Sequence, residues 1–377
     1  MKYTTAGDLH APSLVAIIDD VPAGLVVSAR SIQADLDRWT QGCTCAQGDA
    51  RDVAALLSGV DAQGRTTGSS VCISIDNRAY AQAAGQAAGS VPRPGAADLP
   101  GMLAMNADDC SGAAQAASPR GLSALVVAAS IAREYLAYFG VEIQSYVTRI
   151  GDVAMREEAS EFEKLVFTPL DIETSQVRCP SAQASRLMVD AVEAARAAGD
   201  TLGGQLALVV TGVVAGLGSL GTGALDMKAR LAQAAFCVPG VMGASFGNAA
   251  QVTRVAGSAA FDAIVVGEGG FSRASNKMGG VEAGLTSGMP LVMRVDVAPG
   301  PVTRNPVASV DVFTLQPAQA DAAAFEPCMV PGLGVALEAQ VAFVLACAYQ
   351  EKFGGTSLAD AQAAHEAYLR RLKIAAR

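Results

Sequence analysis

The stretch LSALVVAASIAREYLAYFG, residues 122–140, decides the fold. Its apolar side chains run around most of the circumference of a helix from Leu122 to Tyr138. A helix apolar on all sides lies enclosed between layers, not on a surface. Val141 to Ile150 then returns as a strand.

Reading outward, SLVAIIDDV and VCISIDN have the short apolar pattern of strands, and SIQADLDRW that of a helix. Downstream, SRLMVDAVEAARAAG reads as an amphipathic helix ending at Gly199, Gln205 to Val214 as a strand closed by the turn GLGS, and LDMKARLAQAAF as a helix. AFDAIVVGE and PLVMRVDV read as strands around the loop RASNKMGGVEAGLTSG. EAQVAFVLACAYQEKFG forms a long apolar helix before a polar C-terminal one. Two Pro-, Gly- and Ala-rich stretches, Ala81 to Gly101 and Ala298 to Asp311, have the composition of long surface or active-site loops. The chain is therefore mixed α and β, and its two halves repeat loosely in element order.

The 377 residues leave the number of domains open, since length is only a prior. A 51% apolar, 17% charged composition suits a well-buried globular protein. A net charge of −9 argues against nucleic-acid or anionic-membrane binding, which needs a basic face. No basic segment with an apolar run and cleavage site opens the chain, so the cytoplasm is the expected location. Gly203 to Leu225 lacks charge and meets the length of a membrane span, but seven glycines interrupt it, and LALVVTGVV has the β-branched character of a buried strand.

Only two histidines are present, His10 and His365. Imidazole alone has an unperturbed pKa near neutrality, so His10, in the loop of YTTAGDLHAPSLVAII, is the chain's best acid/base group. A structural hydrogen-bonding role is the other reading of His10. His365, in LADAQAAHEAYLRRLK, reads as a solvated face residue. The eight cysteines lack CxxC pairs or metal-site histidines, so they read as reduced and mostly buried, with no metal site; Cys43 and Cys45, flanking one Thr, are the nearest to a redox pair.

Seven segments carry a family likeness: YTTAGDLHAPSLVAIIDDVPAG (3–24), GRTTGSS (64–70), PRPGAADLPG (92–101), VRCP (177–180), GDTLGGQLALVVTGVVAGLGS (199–219), SNKMGGVEAGLTSGMPLVMR (275–294) and EPCMVPGLGVALEAQVAFVLACAYQEKFGG (326–355). In these, the chain resembles the chorismate synthase family over nearly its full length. The resemblance implies one domain over residues 1–377, an α+β β–α–β sandwich with helices enclosed between antiparallel sheets, and a homotetramer. It also implies a carbon–oxygen lyase of the shikimate pathway that uses reduced FMN for the 1,4-elimination of phosphate from 5-enolpyruvylshikimate 3-phosphate. That polyanionic substrate and the flavin phosphate call for several guanidinium and ammonium groups.

By resemblance, His10 and Glu326 are the catalytic residues, Arg38 and Arg120 bind substrate, and Ser118, Ser275 and Asn276 bind the cofactor. Many other ligand positions differ. His10 stands in GDLHAP where the family has GESHGP, Ala107 and Ala104 take the places of the histidine and lysine of KYGHTD, and Ala96 replaces a histidine beside Arg93. Of the family's RRQxGYGRGxR loop only Arg38 remains basic, with Trp39, Cys45 and Gly48 among its replacements. Ala298 and Ala324 stand at a lysine and an arginine, Glu326 at an aspartate, Ala283 at a glycine, and Pro239 and Gly240 at an Asn-Ala pair. With four or five cations gone from a polyanion site, ordinary activity is expected to fall by orders of magnitude. The alternatives are a non-catalytic binding or assembly subunit, or a more apolar pocket for another small molecule lined by Trp39, Met105 and Cys45.

Overall fold

A computed structural model describes residues 1–42, 52–77, 89–155, 167–221, 223–267, 270–305, 307–320 and 325–375. Cys43, Cys45, Gly48 and Ala324, named above, lie outside the described residues, as does 81–88 of the first long loop. Two antiparallel sheets bracket a layer of helices. The first takes β1 (Lys2–Ala6), β2 (Ser13–Asp19), β3 (Val53–Ser58) and β4 (Val71–Asp76) in the order β1-β2-β4-β3. The second contains β5 (Glu142–Ile150), β6 (Val153–Ala154), β7 (Gly204–Thr211), β8 (Val241–Phe246) and, later in the chain, Leu291–Val297, the strand numbered β13 below. Three two-stranded ribbons stand apart from both: β9 (Ile264–Gly267) with β10 (Gly270–Arg273), β11 (Val281–Glu282) with β12 (Leu285–Thr286), and β14 (Ala308–Val310) with β15 (Pro317–Gln319). The second sheet runs β6-β5-β7-β13-β8.

Alternation sets the first sheet's inner face: Leu14, Ala16 and Ile18 of β2 and Val71, Ile73 and Ile75 of β4 are buried, whereas Ile17 between them is exposed. In β7, Leu206 to Val210 are all buried, so both faces of that strand are covered. The helices in chain order are α1 (Ala29–Gly42), α2 (Asp98–Met105), α3 (Ser111–Ala116), α4 (Leu122–Ala137), α5 (Ala182–Ala198), α6 (Met227–Phe236), α7 (Val330–Phe353) and α8 (Leu358–Ala375), with further one-turn helices between. Helices α1, α4 and α7 pack on one another; α4 faces β2, and α7 faces β5 and β7. Residues 123–132 of α4 are buried without interruption, as the all-round apolar pattern requires.

Local signals agree with their ends. Ser181 caps α5 through the Ala184 N–H, and Gly199 closes it at φ +72°. Helix α7 is long and apolar enough to cross a membrane, but 83% of its apolar window is buried inside the protein. It approaches α1 closely: a Cβ on Gly42 would lie 2.5 Å from the Gly332 Cα. Residues 204–211 of the uncharged stretch form β7, a sheet strand.

One expectation is overturned. His365 is 8% exposed and packs edge-on against Phe139 and Phe353, with ring centroids 5.1 and 5.0 Å away. Burial pushes its imidazole pKa down, Glu366 opposing weakly, and its Nε2 has no hydrogen-bond partner. The described cysteines are all free; Cys110, Cys179 and Cys328 are buried, and Cys237 is exposed.

Candidate functional site

His10 lies on the loop between β1 and β2, and that loop is held by side chains. Gly7 opens it at φ +100°, where an added Cβ would fall 2.7 Å from the Ser13 carbonyl oxygen. Asp8 accepts from the His10 backbone N–H at 2.8 Å and from Gln115 of α3 at 2.8 Å. Asn77, at the end of β4, donates to the carbonyls of Asp8 (3.0 Å) and Ala11 (2.6 Å). Its Oδ1 accepts from Arg120 Nε at 3.0 Å. Ser118 caps the 3-10 turn Pro119–Gly121 by accepting from the Arg120 N–H. Three of the expected residues, His10, Ser118 and Arg120, thus share one network, joined by Asn77, which the sequence reading had not singled out.

Arg120 is buried, and its guanidinium is paired with the equally buried Asp52 carboxylate; its Nη1 has no partner. Arg93 is likewise engaged: its Nε and Nη2 donate to the two oxygens of Asp98 at 2.7 and 2.8 Å. Burial alone would raise the Asp98 pKa, but hydrogen bonds from Arg93 lower it overall.

Arg38 takes part in a different assembly. Its Nε donates to Glu173, its Nη1 to Asp35 and its Nη2 to Glu338. Glu338 of α7 is fully buried and also accepts from Arg133 at 2.6 Å, Arg178 at 3.0 Å and the Ser145 hydroxyl at 2.7 Å. Burial alone would push the Glu338 carboxyl up; the three guanidinium groups and Ser145 hold it far below the usual carboxylate range. Trp39 is buried beside this layer and donates to Ser123 at 2.9 Å. It is a core residue, Met105 is exposed, and Cys45, the third residue expected around an apolar pocket, lies outside the described residues.

Ser275 and Asn276 precede the glycine turn 279–280. The Ser275 hydroxyl and the N–H groups of Lys277 (2.8 Å) and Met278 (3.0 Å) converge on the Asp262 carboxylate. Asn276 donates to the Pro290 carbonyl at 2.9 Å, and its buried Oδ1 has no partner. Arg273 nearby is clamped by Glu282 at 2.8 and 2.7 Å. Ala283 sits at φ +45°, a left-handed conformation in which glycine is unstrained. Glu326 is buried in the segment leading to α7, and the adjacent Pro327 carbonyl accepts from the Leu202 N–H at 2.7 Å. Burial pushes the neighbouring Cys328 thiol up to about 12, with Glu326 adding to the effect, so that thiol is no nucleophile near neutrality.

These donor sets do not fit a flavin phosphate. A bound dianion needs convergent N–H or O–H donors and a cation free to pair with it. Here the donors of residues 275–278 already converge on Asp262, and Arg273 is held by Glu282.

The antiparallel sheets around enclosed helices are those of a family of lyase-type enzymes. A solved structure titled "Crystal Structure of Chorismate Synthase" superposes with a TM-score of 0.81 at 28% identity, covering 99% of this chain and 98% of that one. The family model described as chorismate synthase matches residues 1–349. The chain is 38% identical to the chorismate synthase of Desulforudis audaxviator, over 99% of this chain and 98% of the relative. It is 36% identical to that of Rubrobacter xylanophilus, over 100% and 98%. The chain belongs to the chorismate synthase family.

Proposed function

We propose that this chain is a divergent chorismate synthase homologue that has lost ordinary FMN-dependent phosphate elimination from 5-enolpyruvylshikimate 3-phosphate. In this reading it binds a less anionic small molecule beside His10. One observation carries the proposal: the retained cations Arg38, Arg93 and Arg120 are each matched by carboxylates of the chain itself. A polyanion entering the site would have to displace those carboxylates, and each buried charge contact it fails to make costs about 2 kcal/mol or more. The protein is proposed to act as a single-domain, cytoplasmic homotetramer, without nucleic-acid or membrane partners.

The test is titration of the purified chain with FMN, followed by flavin fluorescence, together with phosphate release from the family substrate under reduced flavin. The expected result is no saturable change up to about 100 μM FMN, equivalent to binding weaker than roughly −5.5 kcal/mol, and no phosphate release. The second reading, an active lyase with His10 and Glu326 catalytic, is favoured by the network that gathers His10, Ser118 and Arg120. Micromolar flavin binding with phosphate release lost in His10→Ala would establish it. An assembly subunit, the third possibility, would instead form a mixed oligomer with an intact synthase when the two are co-expressed.

A further inference from the structure

The loop from Gly7 to Pro12 that carries His10 turns its carbonyl groups toward the end of β4. Carbonyls that face the interior need donors there, and Asn77 supplies them. Its Nδ2 lies 3.0 Å from the Asp8 oxygen, 3.5 Å from that of Leu9 and 2.6 Å from that of Ala11. Its backbone N–H donates to the Pro12 carbonyl at 3.1 Å. One residue, 3% exposed, thus holds the loop on both sides of His10.

An amide can present either its oxygen or its nitrogen to the loop, and that orientation decides whether the carbonyls meet a donor. Arg120 fixes it. A guanidinium only donates, so the Asn77 atom that meets Arg120 Nε at 3.0 Å is the oxygen, and the nitrogen is left to face the loop. Arg120 is held in turn by the buried Asp52 carboxylate just ahead of β3, and by Ser118, whose hydroxyl accepts from its backbone N–H at 3.3 Å. A chain of contacts therefore runs from Asp52 through Arg120 and Asn77 to the backbone around His10. None of these bonds uses the imidazole itself.

We infer that Asn77 is a positioning residue for His10: it aims the imidazole by holding the backbone on either side of it, and Arg120 acts on His10 through Asn77. The inference rests on the reading that places a ligand beside His10, and it adds the group that orients that ring. Its test reads the ring and needs no ligand, so flavin binding or its absence decides the function of the site separately.

The chain's two histidines supply the experiment, which is proton NMR of their ring signals in the full chain at one fixed pH, with His10→Gln assigning the two. His365, packed against Phe139 and Phe353, reports whether the fold is intact. Asn77→Ala is expected to move the His10 signal toward that of a histidine in an unfolded peptide and to leave the His365 signal in place. Arg120→Lys keeps a cation against Asp52 but has a methylene where arginine has Nε, and it is expected to move the His10 signal in the same direction. Added to Asn77→Ala, it is expected to move that signal no further, as two residues acting in series require. An unmoved His10 signal in either single variant overturns the proposal, as does a further displacement in the double variant. If the His365 signal moves together with that of His10 in both single variants, Asn77 serves the fold at large and the positioning role is overturned as well.

Discussion

Glu338 and Arg38 stand 300 residues apart in the chain, yet Glu338 Oε2 accepts from Arg38 Nη2 at 2.9 Å in the middle of the helix layer. Around this contact three guanidinium groups, of Arg38, Arg133 and Arg178, face three carboxylates, of Glu338, Asp35 and Glu173. The cluster is neutral as a whole and is intolerant of losing one member. Glu338→Gln leaves buried cations uncompensated and is expected to cost about 3–5 kcal/mol, read as a fall in the urea midpoint at pH 7.

The same carboxylate gives a pH signature. Its folded pKa lies below its unfolded value, so its contribution is fully present above about pH 4.5 and is lost as pH falls further. Stability measured from pH 7 down to about pH 3 should decline less steeply in Glu338→Gln than in the parent. An unchanged slope would show that the acid sensitivity has another origin.

His365 acts at higher pH. Its folded pKa is pushed down by burial, so the stability it confers is present above the unfolded value, about 6.5, and is lost as pH falls through it. His365→Leu, which keeps an apolar side chain against Phe139 and Phe353, should flatten the change in melting temperature between about pH 7 and pH 5. A pH dependence equal to the parent's would assign it to other groups.

Ala283 occupies a turn at φ +45°. The left-handed region costs a non-glycine residue about 1–2 kcal/mol, and glycine's greater unfolded-state freedom offsets part of the relief. Ala283→Gly is therefore expected to stabilise the chain by about 0.5–1 kcal/mol in equilibrium unfolding; a destabilised variant would mean that the methyl group makes contacts worth more than the strain.

Gly42 meets Gly332 backbone to backbone. Because neither helix can yield a side chain there, Gly42→Ala should separate α1 from α7 and cost about 3 kcal/mol, seen as a lower melting temperature. Gly24, whose added Cβ would meet nothing within 4 Å, is the matched control for the loss of a glycine. Its own φ of +91° sets the strain contribution to be subtracted.

The layered fold was legible because its decisive signals are local. The all-round apolar run of α4, the cap Ser181 and the stop Gly199 each lie within the element they define. Helix α7 was read only from Glu338, since PGLG ahead of it has the composition of a loop; the structure begins it at Val330, where Pro331 fits the first turn and the glycines permit close packing. His365 was misread because the rings that bury it come from elsewhere in the chain, Phe139 from the turn after α4 and Tyr349 and Phe353 from α7, and no periodicity of α8 announces them. The candidate site was half legible. His10 is conspicuous by the scarcity of imidazole, but the commitment of Arg38 to Glu338 and of Arg120 to Asp52 depends on partners far away in sequence.

Helix α7 also dictates when the protein can fold during synthesis. It packs against α1, α4, β5 and β7, and its Phe343 ring lies 4.3 Å from that of Tyr3 in the first strand. The apolar faces of α1, α4, β5 and β7 that α7 covers therefore stay open until residues 330–353 have been made. Among the described residues, the helix that completes the core is also the one long and apolar enough to cross a membrane, so the interval before α7 docks is when the nascent polypeptide exposes its most apolar segment.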